Sequence, residues 1–239
     1  MIILCWATIR PEEFKEKHNV WIERAVNKEF VCTLLVLNTD EDIKRLTNED
    51  NICNVLVLGT NKRKGVCYPC SELMKQFNNN PHLILDDDDI IVFASDDMAP
   101  PKHWDELIYN SFCKFGGTDF RHGCLEINDG YQLSDYSNME YPCISLPIMT
   151  FATLKALNYT IYSDNYNHLF SDCELYMNLK EMDLLIDARN ITFEHKHWSN
   201  KKRNIDENDK QYYSFMEEDR NTWLKRKELS LEERLKNNT

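Results

Sequence analysis

The residues Asp89-Ile90-Ile91-Val92-Phe93-Ala94-Ser95-Asp96-Asp97-Met98 form the most informative segment of the chain. The apolar run at 90–94 is typical of a buried β-strand, and two adjacent carboxylates follow it. In open α/β sheets, ligands bind outside the carboxyl ends of the strands. Carboxylate oxygens suit Mg²⁺ or Mn²⁺, and a divalent cation suits a diphosphate. The segment therefore predicts a site for a metal ion and a nucleotide.

The composition is that of a globular protein with an acidic surface. The chain has 239 residues, of which 42% are hydrophobic and 11% aromatic. A net charge of −12 disfavours a broad nucleic-acid-binding surface, because phosphate neutralisation supplies most of that affinity. No apolar run approaches the roughly 18 residues of a membrane-spanning helix, and residues 1–7 lack the basic start of a signal peptide. We therefore expect no integral membrane segment.

Nine cysteines are an odd number, which favours reduced thiols over a disulfide framework. Reduced thiols predict a cytoplasmic location, in the host cytoplasm if the chain is viral.

Strand-like and helix-like segments alternate along the first half of the chain. Strands are predicted at 2–8, 31–37, 54–59 and 90–94, and helices at 11–27, 40–46, 70–78 and 100–112. This order predicts βαβ units and an α/β fold with a mostly parallel central sheet flanked by helices. The first half would then be a Rossmann-like nucleotide-binding unit.

The second half is less regular. Helices are predicted at 154–157 and 172–182, strands near 184–187 and 191–195, and a charged, helix-prone segment from 205 onward. Without a repeat or a clear linker, we predict a single domain over 1–239. It would comprise a nucleotide-binding half at 1–112, a donor-sugar and acceptor half at 113–204 and a helical C-terminal segment at 205–239.

The segment from Asp89 to Asp105 resembles the central segment of GT-A-fold, family-two-like nucleotide-sugar glycosyltransferases. That family has an acidic Asp-x-Asp motif at this place, and its first acid falls on Ser95 here, so the motif reads Ser-Asp-Asp. The resemblance implies a GT-A-like fold, a metal ion on Asp97, and contacts of Ser95 and Asp96 with the ribose or the sugar. It also allows a viral or phage-type member of the family.

Other segments of the first half extend the resemblance to nucleotide binding. Residues 7–11 resemble the loop that contacts the base, 38–40 the acid after the second strand, and 61–65 the basic segment near the diphosphate. The nucleotide-binding residues that the resemblance implies are Thr8, Arg10, Asp40, Lys62, Arg63 and Lys64.

Residues 170–175 resemble the acidic motif that supplies the catalytic base of inverting members. We assign Asp172 as the general base that takes the proton of the acceptor hydroxyl. Glu174 lies two residues later and does not share its helical face, so it would orient the acceptor or cap the helix. Acids at a helix start are also favoured by the helix dipole alone, which leaves a purely structural explanation open.

His195-Lys196-His197 resembles a late histidine that completes the metal site in many relatives. The two imidazoles alternate along a predicted strand and would face the same side, so either can be the ligand. Asn128-Asp129-Gly130 is a common turn sequence, and Asp129 is also a candidate contact to the donor or acceptor.

The resemblance implies a hexosyl- or pentosyltransferase that moves a sugar from a nucleotide-sugar donor, UDP-linked, to an acceptor hydroxyl with inversion. The acceptor could be a glycan, a lipid-linked saccharide, a protein or a modified nucleic-acid base. Two alternatives remain. Cys67 and Cys70 form a CxxC pattern typical of thiol–disulfide oxidoreductases, and Ser95 could mark a nucleotide-sugar-binding module without catalysis.

Overall fold

The structure is a computed structural model that describes residues 1–8, 11–37, 55–57, 66–79, 84–113, 120–130, 142–198 and 201–236. The predicted helix at 40–46 lies outside the described residues. So do five of the predicted nucleotide-binding residues, which are Arg10, Asp40, Lys62, Arg63 and Lys64.

Nine strands are described. They are β1 (Ile2–Thr8), β2 (Val31–Leu37), β3 (Val55–Val57), β4 (Ile90–Ala94), β5 (Met98–Ala99), β6 (Cys124–Asn128), β7 (Ile148–Thr150), β8 (Leu185–Thr192) and β9 (Glu194–His195). Seven of them form one sheet in the order β3-β2-β1-β4-β7-β6-β8, and β5 pairs with β9. Within the described part of this sheet, β7 runs antiparallel to its neighbours and the other pairs are parallel. The predicted α/β class with a mostly parallel sheet is confirmed.

The helices within the described ranges are α1 (Pro11–Arg24), α2 (Cys67–Asn79), α3 (Trp104–Phe112), α4 (Phe151–Ala156), α5 (Ser171–Glu181), α6 (Glu207–Tyr213), α7 (Met216–Arg226) and α8 (Leu231–Lys236). A short 3₁₀ turn covers Lys28–Phe30. In the part of the chain that is described, no helix combines the length and the apolar character needed to cross a membrane.

The central strands are buried on both faces. All five residues of β4 are buried, and alternate residues of β1 and β4 contribute to two hydrophobic clusters on opposite sides of the sheet. Trp6 of β1 meets Phe14 and Trp21 of α1 at ring-centroid distances of 5.2 and 6.0 Å. A parallel strand buried on both faces reads as a continuous apolar run, which is why β1 and β4 have their predicted bounds.

Two helix ends differ from the prediction for local reasons. Helix α1 ends at Arg24 because the carboxylate of Asp105 accepts hydrogen bonds from the backbone N–H groups of Val26 and Asn27, at 2.9 and 2.8 Å. Helix α3 begins at Trp104 instead of residue 100, because the left-handed backbone of His103, with φ of 60°, interrupts the right-handed helix.

The second half contains more sheet than predicted. Strands β6 and β7 were not predicted. The strands expected near 184–187 and 191–195 are found as the continuous β8 (Leu185–Thr192) and the short β9 (Glu194–His195). Both hydrophobic clusters contain residues from the first and the second half, such as Leu4 and Leu125 in one of them. The division into functional segments, and the single domain itself, stay predictions.

Candidate active site

A cleft of about 250 Å³ lies at the carboxyl end of β4, where open α/β sheets bind ligands. We call it the strand-end cleft. Six of the predicted site residues line it, together with residues from α2, α5 and the C-terminal segment. These six are Ser95, Asp96, Asp97, Asp172, His195 and His197.

Asp96 is held by the neighbouring strand. Its Oδ1 accepts a hydrogen bond from the indole Nε1–H of Trp6 at 2.8 Å, and its Oδ2 accepts one from the Thr8 hydroxyl at 2.6 Å. Thr8 itself is buried. The predicted nucleotide contacts of Thr8 and Asp96 stay predictions. In the structure, the hydrogen bonds of Asp96 connect the acidic turn after β4 to β1.

Asp97 is prepared as an anion beside an imidazole. Its Oδ1 accepts a hydrogen bond from the Ser95 hydroxyl at 2.7 Å, and its Oδ2 lies 3.3 Å from Nε2 of His195. Burial raises the pKa of the Asp97 carboxyl, but His195 and Ser95 lower it more, so the pKa lies well below the ordinary value. Asp97 is therefore ionised at neutral pH.

The backbone places His195 next to Asp97. Strands β5 and β9 pair antiparallel with His195 opposite Met98, and the Lys196 N–H donates to the Asp97 carbonyl at 2.6 Å. Burial lowers the pKa of His195, but its interactions with Asp129 and Asp97 raise it to about 9. The ring of His197 lies 5.1 Å from that of His195, and burial together with His195 lowers the pKa of His197.

The described residues include no group of three His, Cys, Asp or Glu side chains that could hold a metal ion. Asp97 and His195 nevertheless fit as a pair of ligands. Neighbouring ligand atoms around an octahedral Mg²⁺ with bonds of about 2.1 Å lie about 3.0 Å apart, close to the 3.3 Å between Oδ2 and Nε2. Such ions usually complete their coordination with water and substrate phosphates.

Asp172 lies in the first turn of α5 and lines the strand-end cleft. Its Oδ1 accepts a hydrogen bond from the Cys173 N–H at 2.9 Å. Burial raises the pKa of Asp172, and hydrogen bonds from Cys173 and Cys143 oppose the shift without cancelling it. A carboxylate with a raised pKa accepts a proton more readily, which is the property that a general base needs.

Glu174 is not among the residues that line the cleft. It is buried, and its two oxygens accept hydrogen bonds from Nε and Nη2 of Arg226, both at 2.7 Å. The hydroxyl of Tyr166 donates to the same carboxylate at 2.7 Å. The structure thus gives Glu174 the role of anchoring α7 to α5, in place of the predicted contact with an acceptor.

The CxxC pattern does not have the environment of a redox pair. Cys67 and Cys70 are buried at the start of α2, and burial raises the pKa of both thiols. An attacking cysteine needs a lowered pKa and access to solvent. In the described ranges, none of the eight cysteines forms a disulfide. These observations argue against the oxidoreductase alternative.

Several cleft residues were missed by the sequence analysis. Arg203 donates hydrogen bonds to both carboxylate oxygens of Asp209, at 2.5 and 2.7 Å, and Tyr212 stacks on the ring of His168 at 3.9 Å. Burial lowers the pKa of His168 to about 4. The C-terminal segment was predicted only as charged and helix-prone, and its aromatic residue Tyr212 was the available signal that one face packs inward.

Another missed residue is Asp219 of α7, whose carboxylate is buried. It accepts hydrogen bonds from the backbone N–H groups of Asn167, His168 and Leu169, at 2.8 to 2.9 Å. The C-terminal segment therefore both lines the cleft and holds the loop before Asp172.

Comparison with known proteins gives no family model and no curated protein that matches this chain. Solved structures do match. The mannosyltransferase PcManGT from Pyrobaculum calidifontis, in complex with GDP-Man and Mn²⁺, matches with a TM-score of 0.52 and 11% identity over 81% of this chain and 56% of its own. S. aureus TarS 1-349 in complex with UDP-GlcNAc matches with a TM-score of 0.56 and 14% identity over 80% of this chain and 57% of its own.

The chain thus spans little more than half the length of these two structures. At this level of identity the likeness shows the fold, and it confirms the predicted GT-A-like α/β architecture.

Proposed function

We propose that this chain is a metal-dependent glycosyltransferase that moves a sugar from a nucleotide-sugar donor to an acceptor hydroxyl, with inversion. The observation that carries the proposal is that Asp97 with its adjacent His195, and Asp172 with its raised pKa, line the same cleft at the end of β4. The fold supports it, since the matching structures include a mannosyltransferase with GDP-Man and TarS with UDP-GlcNAc. We propose a UDP-linked donor.

Asp97 and His195 would hold Mn²⁺ or Mg²⁺, with the donor diphosphate completing the coordination. When bound, the ion supplies positive charge that stabilises the departing nucleoside diphosphate. Arg203 lines the same cleft, and we propose that it donates a hydrogen bond to the diphosphate while its charge stays paired with the carboxylate of Asp209. The predicted contribution of Lys62, Arg63 and Lys64 to positive charge near the diphosphate stays a prediction.

In the proposed reaction, the acceptor oxygen forms a bond to the anomeric carbon while the bond from that carbon to the phosphate oxygen breaks. The nucleoside diphosphate leaves with the bonding electron pair. Asp172 takes the acceptor proton during the attack, which contributes about 10²–10⁴-fold to the rate of such steps. A single displacement from the opposite face inverts the configuration of the anomeric carbon. Ser95 contributes indirectly, because its hydroxyl donates a hydrogen bond that orients the carboxylate of Asp97.

The proposal is tested first by binding and then by turnover. UDP, GDP and a panel of their sugars should raise the melting temperature when Mn²⁺ is present and raise it less without Mn²⁺. With the best donor and a panel of acceptors, released nucleoside diphosphate measures transfer. If no donor in the panel raised the melting temperature of the protein, the proposal would be contradicted.

Asp172→Asn separates an enzyme from a binding module. It should retain donor affinity and lose turnover, because only the base is removed. The matched control is Asp187→Asn, which removes one exposed carboxylate from β8 and should retain both properties. Donor affinity without turnover in the wild type, for every acceptor in the panel, would favour the binding module.

The acceptor in our proposal is a glycan, a lipid-linked saccharide, a protein or a modified nucleic-acid base, and the acceptor panel should contain all four. We also propose that the chain works in the cytoplasm, which rests on its cysteine usage.

A further inference from the structure

Asp129 lies directly after β6 and is 3% exposed. Its backbone carbonyl accepts a hydrogen bond from the His195 N–H at 2.9 Å, and the carbonyl of Asn128 accepts one from the Phe193 N–H at 2.8 Å. These two bonds tie the end of β6 to the segment that carries His195. The relative position of Asp129 and His195 is therefore set by the backbone.

The imidazole of His195 lies between two carboxylates. Its Nε2 is 3.3 Å from Oδ2 of Asp97, and its Nδ1 is 3.8 Å from Oδ2 of Asp129. Asp97 lines the strand-end cleft, whereas the buried Asp129 is not among the lining residues. The ring thus directs Nε2 to the cleft and Nδ1 to the protein interior.

We propose that Asp129 is a positioning residue that holds the Nδ1–H of His195, so that Nε2 is presented to a divalent cation beside Asp97. This inference rests on the proposed function. A histidine that binds a metal ion through Nε2 carries its proton on Nδ1, and such histidines almost always donate that proton to a carboxylate, a backbone carbonyl or water. The 3.8 Å between Nδ1 of His195 and Oδ2 of Asp129 exceeds the length of a hydrogen bond, which is about 3 Å. The ring and the carboxylate therefore move less than about 1 Å towards each other to form the bond.

The same geometry favours His195 over His197 as the ligand, although both line the strand-end cleft. His195 has a carboxylate beside each ring nitrogen, one at the cleft and one in the interior. His197 lies 5.1 Å from His195 between ring centroids. Our assignment therefore makes His195 the ligand and Asp129 its support.

The test is the affinity for Mn²⁺ in the presence of UDP, measured from the electron paramagnetic resonance signal of free Mn²⁺. Asp129→Asn should weaken binding about 10–100-fold, the usual effect of losing such a partner. The control Asp187→Asn makes the same charge change at an exposed site and should bind as the wild type does. Equal affinity of Asp129→Asn and wild type would overturn the positioning role and leave the proposed function intact. An absence of Mn²⁺ binding by the wild type would overturn both.

A second measurement needs neither the variant nor a bound metal. In wild-type protein labelled with ¹⁵N-histidine, the Nδ1–H proton of His195 should be observed and protected from solvent exchange, and His195→Gln should remove that signal. A His195 Nδ1–H that exchanges as fast as an exposed imidazole would overturn the inference even if Asp129→Asn failed to fold.

Discussion

Replacing Glu174 with glutamine removes the charge of a side chain that is only 3% exposed and leaves Arg226, 7% exposed, without its counter-ion. Both guanidinium contacts are 2.7 Å long, and the pair joins α5 to α7. Removing one partner of such a buried pair typically costs about 3–5 kcal/mol, because the other charge stays desolvated. For a chain of this length, that corresponds to a fall in melting temperature of roughly 6–20 °C.

The assay is urea unfolding of the wild type, both single variants and Glu174→Gln/Arg226→Met. Each single variant should lose about 3–5 kcal/mol of unfolding free energy, while the double variant should lose far less, because no uncompensated charge remains. The matched control is Asp187→Asn, which breaks an exposed carboxylate–arginine pair with Arg189 and should cost no more than about 1 kcal/mol.

A cost below about 1 kcal/mol for Glu174→Gln would refute the reasoning, since it would mean that the pair is not desolvated. Turnover per folded molecule gives an independent check. Glu174→Gln should keep it, because Glu174 contacts Arg226 and Tyr166 and does not line the strand-end cleft.

Four further predictions follow from the site. The raised pKa of Asp172 places the acid limb of the pH–rate profile above the ordinary aspartate value, with activity rising as the carboxyl loses its proton; a rate independent of pH there would contradict this. A carboxyl pKa that is higher in the folded than in the unfolded state means that ionised Asp172 lowers the free energy of unfolding at neutral pH. Asp172→Asn should therefore unfold at the same urea concentration as the wild type or at a higher one. Cys67→Ala/Cys70→Ala should retain sugar transfer, and in the native wild type both thiols should react slowly with a thiol reagent. Thiols that react as fast as exposed cysteines would revive the redox alternative. Chelation should remove turnover and reduce nucleotide-induced stabilisation, and added Mn²⁺ should restore both, whereas full activity in excess chelator would exclude a metal at Asp97 and His195.

The sequence predicted those elements whose signal is local. Strands β1, β2 and β4 have their predicted bounds because each is an apolar run with clear flanking residues. Strand β7 has three residues and exists through its pairing with β4, so no periodicity within it could reveal it. The antiparallel pairing of β7 also makes the sheet mixed, a feature that the βαβ pattern of the first half does not contain.

The candidate site shows the same division. The acidic end of β4 was recognisable from ten residues, but its partner His195 is 98 positions away and is brought to Asp97 by backbone pairing, including that of β5 with β9. Asp172 and Glu174 have similar local patterns at the start of α5. Glu174 is paired with Arg226, which lies 52 positions later in the chain, and only Asp172 lines the cleft. A sequence pattern at the helix start cannot indicate such a distant partner.

Ser95 is the residue that motivated a non-catalytic interpretation, and its contacts argue the other way. A second carboxylate at that position would stand close to Asp97, and two like charges at such a distance raise one pKa and favour protonation. The Ser95 hydroxyl instead donates a hydrogen bond to Oδ1 of Asp97 at 2.7 Å and lowers the pKa of that carboxyl. Oδ2 of Asp97 then faces His195. The Ser-Asp-Asp sequence therefore leaves Asp97 ionised, without a further carboxylate at position 95 to compete with it for a proton, which is a reason to expect a working metal ligand and not a lost one.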